Sequence, residues 1–239
     1  MHVEYHRWYS PSLGRDMELK IFGHAGARCI VYPTSRGRFF EWEDRGMIGA
    51  LHQHLQQGWL QLYCVDSVDS ESWYDRSKHP CQRAQRQHQY DLYVKNEVLP
   101  LSRQKNDNPF CITAGASFGA YHAINFGLKF PDCVGRIISM SGMCDVNRFN
   151  DGYGGHEVYF NNPMAYIENE HDPWRIRHLQ QLDIILVIGR EDPMADNNRR
   201  FSGLLWSKGI GNALRLWDGW AHDWPWWRKM ILHYIGGHD

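Results

Sequence analysis

Gly115-Ala116-Ser117-Phe118-Gly119 decides how this chain is read. It fits G-x-S-x-G, the pattern of a nucleophile elbow. Pro109-Phe-Cys-Ile-Thr-Ala114 before it is short and apolar and predicts a buried strand. Ala120, Ala123, Ile124, Gly127 and Leu128 after it recur at helical spacing and predict a helix, which Pro131 ends. Strand, tight turn and helix form the setting in which the pattern carries chemistry. A serine on that turn is held above the sheet edge. Glycines flank it because a side chain would clash where strand and helix cross. The helix N-terminus aims free N–H groups at developing negative charge. Phe118, directly after the serine, is expected to supply one oxyanion-hole N–H.

Working outward, apolar strands alternate with helices. Strands are predicted over 3–9, 17–22, 28–32, 60–65, 136–141, 183–188 and 213–217 besides the elbow strand. Helices are predicted within 36–57 and over 83–103, 197–208 and 225–235. This alternation predicts an α/β fold with a mostly parallel central sheet and helices on both faces. No repeat or linker interrupts it, so a single domain spanning 1–239 is expected. Residues 144–182 are too many for an ordinary connection and predict a small cap-like insertion over the site.

If Ser117 is the nucleophile, the fold order places an acid and then a histidine downstream, each after a strand. Asp192 follows the strand 183–188 and is the expected acid. Glu191 and Asp196 are local rivals, and Asp145 is a more distant one. His222 follows the last strand, 30 residues past Asp192, and leaves 17 residues for a closing helix. A serine hydroxyl is a poor nucleophile near neutral pH, so His222 would take its proton and Asp192 would orient the imidazole. The second oxyanion donor is expected in the loop Pro33-Thr34-Ser35-Arg36-Gly37, from the N–H of Ser35 or Arg36.

Composition narrows the field. A net charge of −1 over 239 residues gives no reason to expect nucleic acid or an anionic membrane as partner. No run of 18 apolar residues suggests a span, and the start lacks the pattern of a signal peptide. The six cysteines contain no C-x-x-C, and Cys29, Cys64 and Cys111 fall within predicted strands. Free thiols and a cytoplasmic setting are expected. The 14 histidines do not form a metal motif; His52 and His54 would face apart on a helix. No metal or cofactor is expected.

Taken together, GASFGAYHAINFGLKFPD, VYFNNPMAYI and HDWPWWRKMI resemble a bacterial branch of the putative esterase family, which includes esterase D and the antigen 85 mycolyltransferases. Phe118 stands where that family has Met, and Ala120 where it has a second Gly. The resemblance covers most of 28–235. It implies an α/β-hydrolase fold, acyl-ester hydrolysis, no cofactor, and Arg36 as the second oxyanion donor. Thr34-Ser35 replaces the usual H-G or S-G pair there. The family is too broad to imply a substrate.

The expected activity is therefore that of a serine carboxylic-ester hydrolase acting through an acyl-enzyme on a small-molecule substrate, a small or aromatic/hydrophobic ester. An acyltransferase on the same triad is the first alternative. A catalytically silent binding protein on the fold is the second. Eleven tryptophans point to an aromatic wall, with Trp73 and Trp220 expected to face the cleft. Arg36 and Arg190 are candidates for a carboxylate or phosphate on the substrate.

Overall fold

Tyr32 and Ile30 point to one side of their strand, Cys29 and Val31 to the other, and both sides are buried. That is the signature of a strand covered on both faces. A computed structural model describes residues 1–237; the last two residues of the expected 1–239 domain lie outside the described residues. The strands are β1 (Val3–Ser10), β2 (Arg15–Phe22), β3 (Ala27–Tyr32), β4 (Leu60–Val65), β5 (Cys111–Ala116), β6 (Arg136–Met140), β7 (Asp183–Gly189) and β8 (Ala213–Trp217). They form one eight-stranded sheet in the order β1-β2-β4-β3-β5-β6-β7-β8. The β1–β2 hairpin runs antiparallel to its neighbour, and all pairs from β4 to β8 are parallel.

One face is covered by three short helices, α1 (Glu41–Asp44), α2 (Met47–Ala50) and α3 (His52–Gln56). The single helix expected within 36–57 is broken because Gly46 takes a left-handed φ of 73° between α1 and α2. The opposite face carries α4 (Pro80–Tyr93), a π-turn over Val94–Val98, α5 (Leu99–Lys105) and α6 (Phe118–Lys129). The expected helix 83–103 starts earlier and is not continuous. His79 caps it, with Cys81 N–H donating to its Nδ1 and Gln82 Oε1 accepting its N–H. Pro100 has no N–H to give residue 96, and the wider turn before it absorbs that loss.

The stretch after β6 holds α7 (His156–Tyr159), α8 (Pro163–Glu168) and α9 (Pro173–Leu179). Its Val146, Phe149 and Val158 pack with Trp73, Phe118 and Tyr121 in a separate apolar cluster beside the N-terminus of α6. The chain then forms α10 (Ala195–Ser207) and closes with α11 (Trp224–Tyr234), whose Trp227, Met230 and Ile231 join α1–α3 on the first face. Among the described residues no helix is long and apolar enough to cross a membrane.

Register fixes where the site lies. Gly115 of β5 is level with Tyr32 of β3 and Ser139 of β6. The carboxyl ends of the central strands therefore open onto one edge, and Ser117 emerges there.

Candidate active site

Ser117 links β5 to α6 with φ 54° and ψ −119°, a backbone state that costs roughly 1–3 kcal/mol for a residue with a side chain. Its neighbours hold it there. The Ser117 N–H donates to Met140 O at 2.9 Å. A Cβ on Gly115 would sit 2.2 Å from the backbone of Gly119, and one on Gly119 would sit 2.4 Å from Pro33 O. Both glycines are therefore demanded by the crossing of β5, α6 and the loop after β3. Phe118 opens α6, so helical bonding leaves its N–H unpaired.

The structure brings the other two predicted side chains to this serine. His222 Nε2 lies 3.2 Å from Ser117 Oγ. His222 Nδ1 lies 2.6 Å from Asp192 Oδ2. The partners define the tautomer: Nδ1 carries the proton facing the carboxylate, and Nε2 accepts from the hydroxyl. Asp192 is buried, and its second oxygen accepts the N–H of Met194 at 2.8 Å. The rival carboxylates are engaged elsewhere. Asp145 accepts from Asn197 and the N–H of Asn147, and Asp196 pairs with Arg199. Glu191 is exposed.

Two loops must meet for this geometry. Arg190 N–H donates to Trp217 O and Glu191 N–H to Gly219 O, which stitches the acid loop to the histidine loop. A Cβ on Gly189 would lie 2.2 Å from Trp220 O, so the same approach requires a glycine. Ser141 adds a support that the sequence did not announce. Its hydroxyl donates to Ala221 O and accepts from Trp227 Nε1, fixing the peptide just before His222.

The loop expected to supply the second oxyanion donor departs from expectation at one residue. The N–H of Arg36 donates to Asp69 Oδ2 at 2.8 Å, so it is not a free donor. Asp69 is fully buried, and its other oxygen lies 2.8 Å from His122 Nε2. Gln87 Nε2 faces His122 Nδ1 at 3.3 Å, which leaves the ring proton on Nε2 to donate to Asp69. This buried pair clamps Arg36 at φ 56°. Thr34 is held in turn by the carboxylate of Glu41. Of the two expected loop donors, Ser35 remains: its N–H meets no acceptor among the described residues. Asp69 escaped sequence reading because it sits in an acid-rich stretch, Asp66–Asp75, with no periodic signal.

The aromatic expectations divide. Trp220 is 52% exposed and its ring lies over His222, centroids 5.4 Å apart and 23° between planes. Trp73 is fully buried, and its indole N–H donates to Tyr121 Oη. The expected place for Trp73 on the cleft wall is corrected: it is packed beneath Phe118 and Phe149 in the apolar cluster. Tyr74, its neighbour, packs against the same cluster but is only partly buried, and its hydroxyl donates to Ser35 Oγ at 2.7 Å. Arg190 is drawn out to Asp218 at 3.1 Å. A hollow of about 560 Å³ between α4, α6 and the stretch after β6 is lined by His88, Lys129 and Phe160, and neither Ser117, Asp192 nor His222 lines it.

Residues 62–235 match the family model described as "Putative esterase". A comparison with curated proteins finds no match. Among solved structures, a ferulic acid esterase superposes with a TM-score of 0.77 at 17% identity, covering 97% of this chain and 95% of its own. The S-formylglutathione hydrolase from Staphylococcus aureus gives 0.72 at 15% identity, covering 98% and 96%. MPT51 from Mycobacterium tuberculosis gives 0.70 at 17% identity, covering 99% and 97%. Similarity at this level establishes the fold, which is the α/β-hydrolase fold.

Proposed function

Because the chain belongs to the putative esterase family, we propose that Ser117, His222 and Asp192 cleave a carboxylic ester through an acyl-enzyme. The observation that carries this reading is the unbroken line from Ser117 Oγ to His222 Nε2 and from His222 Nδ1 to buried Asp192.

The steps follow from proton accounting. Ser117 Oγ attacks the ester carbon while His222 Nε2 takes the hydroxyl proton. The carbonyl oxygen becomes an oxyanion facing the N–H groups of Phe118 and Ser35. Each such donor contributes about 3–4 kcal/mol to the transition state in enzymes of this kind. The C–O bond to the alcohol breaks, and the leaving oxygen takes the proton from His222. Water then repeats the sequence, and the acid is released. Throughout, Asp192 holds the imidazole and stabilises its charged form. The exposed ring of Trp220 beside His222 supports an aromatic or apolar group on the ester. The likeness to a ferulic acid esterase is in keeping with that choice.

The test is hydrolysis of p-nitrophenyl esters, from acetate to longer chains, by wild type and Ser117→Ala. Wild-type activity that falls by at least about 10³-fold in the variant is expected. Equal activity in both proteins would overturn the assignment. A fluorophosphonate probe should add its mass to the wild type and not to Ser117→Ala.

A further inference from the structure

We propose that the cleft rim formed by Ser35, Arg36, Tyr74 and Arg148 binds an anionic group, a carboxylate or a phosphate, carried by the ester. This deepens the ester-hydrolase reading and rests on it. The observation behind it is a set of donors converging on one phenol with no carboxylate among them. The Arg36 guanidinium lies over the Tyr74 ring, 5.2 Å from Cζ to the centroid. Arg148 Nη2 donates to the Tyr74 hydroxyl at 3.3 Å. That hydroxyl donates onward to Ser35 Oγ at 2.7 Å. Ser35, accepting there, has its own hydroxyl proton to give.

Neither guanidinium meets a carboxylate among the described residues. The nearby acids are already committed. Asp69 is buried against Arg36 N–H and His122. Asp75 holds Lys78 and Ser77. Asp151 holds Arg76 and Arg83, and Asp145 holds Asn197. Two planar forks and a hydroxyl form the arrangement that takes an oxyanion through several charge-assisted bonds.

Place and preorganisation point the same way. The Tyr74 ring is 5.2 Å from the ring of Phe118, the residue after Ser117, and its hydroxyl is bonded to Ser35, whose N–H is proposed to face the oxyanion, so the rim adjoins the proposed reacting centre. Arg36 is fixed in a left-handed backbone state that non-glycine residues rarely adopt, and a buried carboxylate holds it there. The clamp aims the arginine before substrate arrives, which lowers the entropy lost on binding. Arg190, the other candidate arginine, already has a carboxylate partner in Asp218.

The experiment compares kcat/KM for 4-acetoxybenzoate, 4-acetoxyphenyl phosphate and the neutral methyl 4-acetoxybenzoate, each normalised to its hydroxide hydrolysis rate. At low ionic strength at least one anionic ester is expected to be preferred about tenfold, and added salt should erode that preference because both arginines are exposed. The two anions distinguish carboxylate from phosphate. The preference should fall toward one in Arg36→Met and in Arg148→Met, and persist in part in the corresponding lysine variants. Arg177→Met, on remote α9, should keep it. A wild-type preference at or below one for both anions overturns the proposal while the hydrolase reading stands. So does a preference unchanged in both methionine variants. Hydrolysis of none of the esters would overturn the hydrolase reading instead. Calorimetry on Ser117→Ala then reads the arginines directly. Benzoate or phenyl phosphate should bind about tenfold more tightly than methyl benzoate, and equal affinities would overturn the proposal.

Discussion

Asp192 Oδ2 lies 2.6 Å from His222 Nδ1, and the other oxygen of the same carboxylate is tied to the N–H of Met194 at 2.8 Å. The acid is thus fixed by the backbone of its own loop, and the imidazole takes its orientation from the acid. Asp192→Asn would keep the shape and offer its amide N–H to Nδ1, favouring the tautomer that cannot accept from Ser117. The expected result is a loss of kcat on the order of 10³–10⁴-fold with little change in melting temperature. Steady-state kinetics beside a thermal melt check both halves. A large drop in stability instead would show that Asp192 serves the fold first.

The elbow makes a purely steric prediction. A methyl group on Gly119 would meet Pro33 O at 2.4 Å and Tyr32 O at 2.6 Å, both backbone atoms that cannot swing aside. Gly119→Ala should therefore cost about 3 kcal/mol, at the upper end for overpacking. Gly203, inside α10, has nothing within 4 Å of the same methyl position. Gly203→Ala should gain about 0.5–1 kcal/mol from helix propensity alone. Urea unfolding of the two variants gives opposite signs if the contacts are as described.

How much of this was readable from the chain depended on the kind of signal. Ser117, Asp192 and His222 could be placed because each follows an apolar strand, and a parallel sheet gathers strand ends on one edge. Asp69 could not be. Its partners, Arg36 N–H and His122, lie 33 and 53 residues away, and neither a buried carboxylate nor a backbone donor leaves a periodic mark. The burial of Trp73 is illegible for a related reason. Composition shows that tryptophans are abundant, whereas burial depends on where the stretch after β6 packs. The helix breaks were legible in principle, since Gly46 and Pro100 stand in the sequence at the positions where the ladder changes.

Trp73 and Trp220 should respond in opposite ways. Trp73 is fully enclosed and bonded to Tyr121, so Trp73→Phe should cost about 1–3 kcal/mol of stability and leave substrate selectivity alone. Trp220 is half exposed and stacked on His222. Trp220→Ala should change stability by less than about 0.5 kcal/mol and lower kcat/KM for aromatic esters by about two- to tenfold. Measured together, melts and kinetics separate a packing tryptophan from a cleft tryptophan.

At the far edge of the sheet, Glu4 of β1 is held down to about 2 by hydrogen bonds from His2, then Lys105, with His6 a further contributor. Its ordinary value is 4.5, so the folded state keeps the carboxylate ionised to lower pH than the unfolded chain does. The stabilisation is complete above about pH 4.5 and is lost as pH falls toward 2. The site is at the surface, which limits the effect to less than about 1 kcal/mol. Thermal melts of wild type and Glu4→Gln should differ near pH 6 and converge by pH 2.

The buried clamp behind Arg36 gives the sharpest test of how the loop proposed to supply the second oxyanion donor is built. Asp69→Ala would leave the N–H of Arg36 and the Nε2 proton of His122 facing a void, at a cost of about 3 kcal/mol. The hydrogen bond that holds Arg36 at its φ of 56° would then be gone. Loop relaxation displaces the Ser35 N–H along with it, so kcat should fall even though Asp69 touches no reacting atom. Asp69→Asn retains one acceptor and can satisfy only one of the two donors, so its losses in stability and in kcat should fall between those of wild type and Asp69→Ala. A variant that loses stability yet keeps full kcat would mean that the loop holds its shape through Glu41 and Thr34 alone.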